Sequence, residues 1–568
     1  MNLTLIELKS YYSFNNFESQ VYGRINKKYF CSIKPKTNMI KVFQKILFVL
    51  IVTASFVSSL NAQENDLLRV ELEVDKNAEA FHVVPVGEEG VLVFCETDER
   101  DNQGNKQWVF TKYSNKFKEV WTKEYAVQKS MGYIDFYYAG KNNIYFLLQS
   151  SKGYQIMNLD ISSGTLYSKF FQALGNYDAE IFKVIDNTAF IAGQSRPNFL
   201  QSFTQFFFSL TFIPFFTGAT VYPQIPVIQN VELNSVKNQS ILTSTIPKST
   251  IIGVELSQEK NINFLLRTMP HRKTAQVYKY AYDGLGNQIN TLMIKSDADK
   301  DINSGRIMNL GNSNEVIIGT YSRVNPNKRK PLYPGQSNGV YFFRFVDKEQ
   351  QLIKYYDFSR FESFTSQIKA KSGGFFNRNT NEGLFETKLL IHPVVESNNQ
   401  FIMLAEAYYP QYHTETYTTY TNGRPMISTR QVFDGYRYTD AIIAGFDKNG
   451  DLVWDNHFEM NDVLTYDLKE RVKLLLGEDE IALIYSWDGK IKTKIINGKE
   501  VVEAKSETDL DNKKESSQVK NNFGSDVAHW YGNYFISFGY QTIKNSSQGV
   551  FGGNKKRTIF YFNKIGYQ

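Results

Sequence analysis

The sequence predicts an all-β chain, and three observations carry that reading. One strand–turn–strand unit recurs along it, a second pair of strands precedes most copies, and the two ends of the repeating region complement each other. Composition agrees: of 568 residues, 42% are hydrophobic and 15% aromatic, with 36 Tyr and 44 Phe against 5 Trp. That bias favours strands. No long stretch places apolar residues at i, i+3, i+4 and i+7, so helices barely compete.

The clearest copy of the unit spans residues 441–458. An apolar strand ends at Phe446, a polar turn follows at Asp447, Lys448, Asn449 and Gly450, and a second strand starts at Leu452 and carries Trp454. The Asn-Gly pair suits the positive φ of a tight hairpin turn. The plan returns at 108–121, 154–170, 276–293, 340–350 and 490–498. Spacing scatters around roughly 60 residues, above the ~40–45 of a compact propeller blade, so the copies carry insertions. Each hairpin follows another pair of strands, as at 134–138 with 144–148, or 307–310 with 315–319. The pairs 472–476 with 480–485 and 527–530 with 534–538 repeat this. The second strand of each pair is nearly all apolar, as a strand covered on both faces is. The hairpin strands alternate, as a half-exposed sheet does. Four antiparallel strands graded from buried to exposed make a β-propeller blade. Seven clear repeats and one less clear predict seven or eight blades.

The last repeat supplies only three strands, at Val527, at Tyr534 and over 557–562. Residues 68–74 alternate strictly and have no partner of their own. Donating them to the last blade closes the ring and hides an open sheet edge.

The motif Asp447-x-Asn449-Gly450-x-Leu452-x-Trp454 resembles the strand motif of bacterial exported β-propeller proteins with quinoprotein-like strand repeats. Trp121 stands at the matching place of another copy. The resemblance implies a fold. The cofactor and calcium ligands of that family have no matching positions, so no cofactor is expected.

Residues 1–38 are polar, aromatic and basic without a pattern, and read as an untranslated or disordered leader. A charged stretch at 39–45, an apolar run at 46–57 and a small-residue exit to Ala62 read as a signal peptide over 39–62, with translation from Met39. Export to the periplasm or the extracellular space follows. The alternative keeps the leader and makes 46–60 an anchor. That run is short for the ~20 residues of a span, so cleavage is preferred. A single propeller domain over 63–568 remains, expected to be a monomer. Its one cysteine is Cys95, in the apolar strand 91–95, where it reads as a small buried hydrophobe with no disulfide partner. Net charge is +6, without a basic stripe or reader motif, and no nucleic-acid partner is expected.

Insertions at 196–248, 323–338 and 408–438 fall mainly between the second and third strands of a blade. Such loops leave a meander from one side of the disc, which marks a working face. Residues 408–438 read as an extended hairpin turning at Asn422-Gly423. Its candidate binding residues are Tyr408, Tyr409, Tyr412, His413, Tyr417 and Tyr420 on the way out and Tyr436 and Tyr438 on the return. Exposed aromatic rings can stack on a glycan or anchor a protein partner. The plainer reading, which is preferred, makes them strand formers paired across the ribbon. Residues 203–216 are the most apolar stretch after the signal peptide. Membrane contact is one reading. The preferred one is the third strand of the less clear blade plus a buried loop, since Pro214 breaks a spanning helix. Asp297, Asp299 and Asp301 match the first ligand positions of a calcium loop, but Ile302 replaces the turn glycine. An ordinary acidic loop is preferred, and no metal is expected. Residues 503–520 are charged and read as a loop between blades.

No two of the six histidines (His82, His271, His392, His413, His457, His529) have the close spacing of a metal-ligand pair. No nucleophile elbow, P-loop or dinucleotide fingerprint occurs, so no catalytic residue is named. The expected function is binding or scaffolding by an exported propeller. The alternatives are a polysaccharide-active enzyme using carboxylates across the ring, and a membrane-attached scaffold. Ionisable residues gathered at the central funnel would favour the enzyme.

Overall fold

The computed structural model describes residues 68–567, apart from 75–79, 139, 141, 175–176, 196–225, 235–237, 243–248, 272–273, 312, 329–334, 371–386, 422–423, 461–462, 511–516 and 546–555. The leader, the signal peptide, 46–60 and 203–216 lie outside the described residues.

The described strands form eight separate sheets, taken here as blades in chain order. Blade 1 is His82–Pro85, Val91–Arg100, Lys106–Tyr113 and Glu119–Val127. Blade 2 is Gly132–Tyr138, Asn143–Ser150, Gly153–Asp160 and Leu166–Gln172. Blade 3 is Tyr177–Ile185, Thr188–Ser195, Pro226–Glu232 and Asn238–Leu242. Blade 4 is Ser249–Leu256, Ile262–His271, Thr274–Tyr282 and Gln288–Ile294. Blade 5 is Lys300–Gly311, Asn314–Arg323, Gly339–Val346 and Glu349–Asp357. Blade 6 is Lys388–Ile391, Gln400–Thr421, Arg424–Phe446 and Leu452–Glu459, with Val395–Ser397 and Leu464–Thr465 paired at its sides. Blade 7 is Lys473–Leu476, Ile481–Trp487, Lys490–Asn497 and Glu500–Asp509. Blade 8 is Ser517–Tyr531, Tyr534–Asn545 and Lys556–Gly566, completed by Arg69–Glu73.

Burial follows the blade order. In blade 1 the second strand is buried over Val91–Glu96 and the fourth is mostly exposed. Eight apolar clusters hold the described residues together, and each joins two neighbouring blades. Trp108 and Phe146 meet between blades 1 and 2, Tyr154 and Phe182 between 2 and 3, and Phe190 and Phe264 between 3 and 4. Leu265 and Phe343 join blades 4 and 5, Phe342 and Phe446 blades 5 and 6, and Phe458 and Tyr485 blades 6 and 7. Ile484 and Phe535 join 7 and 8, and Val93 and Phe562 join 8 back to 1. Eight seams for eight sheets is a closed ring: an eight-bladed β-propeller.

Closure uses the strand that the alternation singled out. Val70 lies opposite Phe562, Leu72 opposite Phe560 and Glu73 opposite Ile559, all antiparallel. Val70 and Leu72 pack into the seam between blades 8 and 1. Arg557 Nη1 donates to Glu73 Oε1 at 2.7 Å, and the Arg69 guanidinium lies 4.3 Å from the Tyr561 ring centre.

Four readings need correction. The third strand of blade 3 is Pro226–Glu232, so 203–216 does not supply it. Residues 503–520 are largely strand, belonging to Glu500–Asp509 and Ser517–Tyr531. The first of these is an outermost strand, solvated along most of its length, so it carries no apolar stripe to read. A helix, Glu362–Ala370, connects blades 5 and 6. It is too short to show a period, but Phe361 and Phe364 bury beside Phe342, and Asp455 Oδ2 accepts from the backbone N–H groups of Ser363 and Phe364. Finally, the turn at 447–450 puts Gly450 alone at positive φ, not the Asn-Gly pair.

Candidate functional site

The first strand of each blade faces the centre of a propeller, so charges there meet at the axis. Arg306 marks that axis. It sits on the first strand of blade 5. Its Nη1 donates to Glu255 Oε1 of blade 4 at 3.0 Å, its Nε to the Ile391 carbonyl of blade 6 at 2.7 Å, and its Nη2 to Glu470 Oε1 beside blade 7 at 2.7 Å. One side chain reaches four consecutive blades only from the middle of the ring.

The polar network continues past it. His392 Nε2 lies 2.7 Å from Glu406 Oε1, which also accepts from the backbone N–H groups of Arg471 and Val472 at 2.7 Å each. Arg471 Nη1 donates to Asp526 Oδ2 of blade 8 at 2.9 Å. The connection from blade 6 to blade 7 carries Lys469 and Asp467, whose charges act on His82 of blade 1. Lys469 acts also on Asp135 of blade 2. The charges of the described residues thus draw from both sides of the ring.

Burial shapes their protonation. It raises the carboxyls of Asp135, Glu180 and Glu255 on the first strands of blades 2, 3 and 4, in each case as the largest cause. Asp178 pushes Glu180 the same way, whereas Arg306 opposes the rise at Glu255. His82 falls to about 4, because burial disfavours the imidazolium and Lys469 repels it.

Beside Arg306 lies a cavity of about 460 Å³. The first strands of blades 4, 5 and 6 wall it with Thr250–Gly253, Asn303–Arg306 and Lys388–Ile391, and Thr320, Gly335, Ser337 and Tyr408 complete the wall. Thr320 stands near the end of the second strand of blade 5, and Tyr408 stands in the second strand of blade 6 at the bulge where the ribbon begins, so the cavity lies toward the insertion face. Asn303 is buried. Its Nδ2 donates to Ser322 Oγ at 2.7 Å and Ser337 Oγ at 2.8 Å, while its Oδ1, closed to solvent, has no partner among the described residues.

Residues 408–438 form the expected ribbon. Gln400–Thr421 pairs with Arg424–Phe446 along its whole length, with bulges near Tyr408 and Tyr412. The candidate residues separate along it. Tyr438 is buried at the base in the seam with blade 7, so it presents no face to a partner. Tyr408 and Tyr436 are partly buried against the same cluster, 5.8 Å apart, and burial pushes the Tyr408 phenol up to about 12. Burial also raises Tyr409. Tyr412 is exposed and packs on Phe433, which contacts Tyr436 in turn. An aromatic run therefore leads from the cavity wall to the exposed ribbon. His413 is exposed, and a hydrogen bond with Asp434 raises its pKa. Tyr417 is exposed and Tyr420 pairs with Pro425 in the backbone register.

The calcium-loop candidates do not converge. Asp301 is buried and its two oxygens take Arg267 Nη2 at 2.7 Å and Nε at 3.3 Å, while Asp299 pairs with Lys300 at 2.6 Å. Among the described residues no group of three His, Cys, Asp or Glu side chains is placed to hold a metal ion. Cys95 is buried, and burial raises its thiol to about 11. Sequence reasoning missed the axial charges. No local signal marked them: the first strand of blade 5 mixes Lys300, Asp301 and Arg306 with polar and apolar residues, and the role of Arg306 becomes legible only once the blades are assigned.

No family model matches the sequence, and no curated protein matches it. Similar solved structures include the polysaccharide lyase Uly1, at 9% identity and a TM-score of 0.36, covering 86% of this chain and 99% of that one. Prolyl oligopeptidase B from Galerina marginata is similar at 8% identity and a TM-score of 0.35, covering 84% of this chain and 56% of that one.

Proposed function

We propose that this chain is an exported binding protein whose ligand sits at the insertion face, in the cavity beside Arg306 and along the ribbon above it. The observation that carries the reading is the cavity itself, where three blades converge on a polar wall that continues into an aromatic ribbon. Replacing 410–436 with a two-residue turn is expected to leave a folded ring that loses its pull-down partners and its glycan-array profile. An unchanged profile overturns the reading. The signal-peptide pattern and the likeness of the 447–454 motif to exported propellers support the compartment. N-terminal sequencing of exported material should begin at Gln63, and retention of 46–60 would favour the anchored alternative. Fractionation of that material tests membrane contact through 203–216.

A second reading has its own observation. Carboxyls with raised pKa on three consecutive first strands, half-buried at Asp135 and Glu255 and exposed at Glu180, could supply the general acids that a polysaccharide-active enzyme needs. Glycan turnover by the purified chain that Glu255→Gln abolishes would establish it.

A further inference from the structure

The ribbon carries one sheet edge that the ring does not use. In blade 6 the first strand, Lys388–Ile391, lies along the outgoing strand Gln400–Thr421, with Ile391 opposite Ala405 and Lys388 opposite Tyr408. One residue earlier the chain quits that edge, because Thr387 exchanges two backbone hydrogen bonds with Ser337, at 2.7 and 3.0 Å. Beyond Tyr408 the outgoing strand pairs with Arg424–Phe446 on one side, and no described strand lies on its other. The return strand differs. Leu464–Thr465 covers its edge at Tyr436 and Arg437, and Pro425 lacks a donor near the tip.

Proteins blunt an open edge with lysine, proline or a bulge. Residues 412–421 contain neither lysine nor proline, and the ladder across them runs without a bulge. Eight of the ten are Thr or Tyr, which favour strands. The other two, His413 and Glu415, are answered across the ribbon by Asp434 and Arg430. The edge is thus about 33 Å of backbone donors and acceptors beside charges that are already paired. A two-stranded ribbon is itself marginal in water and gains from a third strand.

We propose that residues 412–421 take up an extended segment of a partner protein as a third strand, antiparallel to them and in line with Lys388–Ile391. Alternating N–H and C=O groups along an edge are matched by another extended backbone, and a sugar ring cannot repeat that spacing. With both charges answered, the segment expected is uncharged and strand-forming. Tyr412 and Tyr417 are exposed and lie on opposite faces of the sheet, where they flank its side chains. The inference rests on the ribbon part of the binding reading and names its partner.

The probe is a short acetylated and amidated peptide that alternates threonine with valine. A copy methylated on every backbone nitrogen keeps the side chains and loses the donors. Fluorescence anisotropy of each, titrated with the full chain, gives affinity, and hydrogen exchange read by mass spectrometry gives the place. The unmodified peptide is expected to bind about tenfold or more tighter than its methylated copy and to slow exchange over 412–421. The chain with 410–436 replaced by a two-residue turn should bind neither. No binding of the unmodified peptide overturns the inference, as does equal binding of the two. Protection confined to 424–434 overturns it as well. A full chain that dimerises through the ribbon without peptide gives the edge to a second copy, which also overturns it. If the ribbon deletion loses its glycan-array profile while neither peptide binds, the partner is a glycan: this inference falls and the binding reading stands.

Discussion

Arg306 is the residue on which the inner face converges. Its guanidinium answers two carboxylates and a carbonyl from three other blades, and losing it leaves Glu255 and Glu470 facing each other across the axis. Arg306→Met should lower the unfolding free energy by roughly 2–4 kcal/mol in urea titration, because half-buried charges lose their counter-ion. Arg306→Lys should recover only part of that, since an ammonium cannot span the same three acceptors. His82 makes a prediction about pH. Its folded pKa is about 4, below the ordinary 6.5, so the native state binds fewer protons between those values. Stability therefore rises with pH through that window, and the penalty is complete below about pH 4. Asp135, Glu180 and Glu255 act in the opposite direction, because their raised pKa values relieve a cost as pH falls. The comparison of variants separates the two. His82→Phe keeps the stacking on Phe94 and the tilted contact with Tyr133 and should lose about 2 kcal/mol less than the native chain between pH 7 and pH 4.5.

At the scale of the element, one turn explains much of the repeat. Asp447 Oδ1 accepts from the backbone N–H groups of Asn449 and Asp451, both at 2.8 Å. Asp283 does the same for Leu285 and Asn287, and Asp101 for Gln103 and Asn105. In all three the fourth residue is a glycine at positive φ: Gly450, Gly286 and Gly104. The aspartate closes the turn and the glycine lets it reverse. Gly450 also abuts Phe342 of blade 5, where an added Cβ would lie 2.5 Å from the ring. Gly450→Ala should therefore cost about 2 kcal/mol or more, measured by chemical denaturation, and Asp447→Ala about 1 kcal/mol.

These turns are why the hairpins were legible. Their chemistry is local, and the strands beside them alternate. The second strands were legible for a related reason, since burial on both faces leaves an unbroken apolar run. What escaped was set by distance in the chain. Arg306 meets Glu470, and Lys469 acts on His82, through ring geometry that no local spacing records. The ribbon was visible as alternating Thr and Tyr. Its division into a buried base at Tyr438 and an exposed arm at Tyr412 was not, because alternation does not say where the ring stops. Outer strands such as Glu500–Asp509 escaped because solvent on most of their surface removes the pattern.

The whole molecule depends on closure. Eight seams are equivalent in kind, and seven of them join blades adjacent in the sequence. The eighth must be made by segments nearly the whole chain apart. Trp530 Nε1 donates to the Gly90 carbonyl at 2.7 Å across it, and Val70 and Leu72 fill it from the added strand. A central cavity walled by several blades keeps its shape only while that seam holds. The most direct measurement is thermal unfolding with light scattering of a chain that starts after residue 75, against one that retains Arg69–Glu73. The account predicts a large drop in Tm and self-association through the bared edge of Lys556–Gly566. A truncated chain that stays monomeric and melts at the same temperature would contradict it.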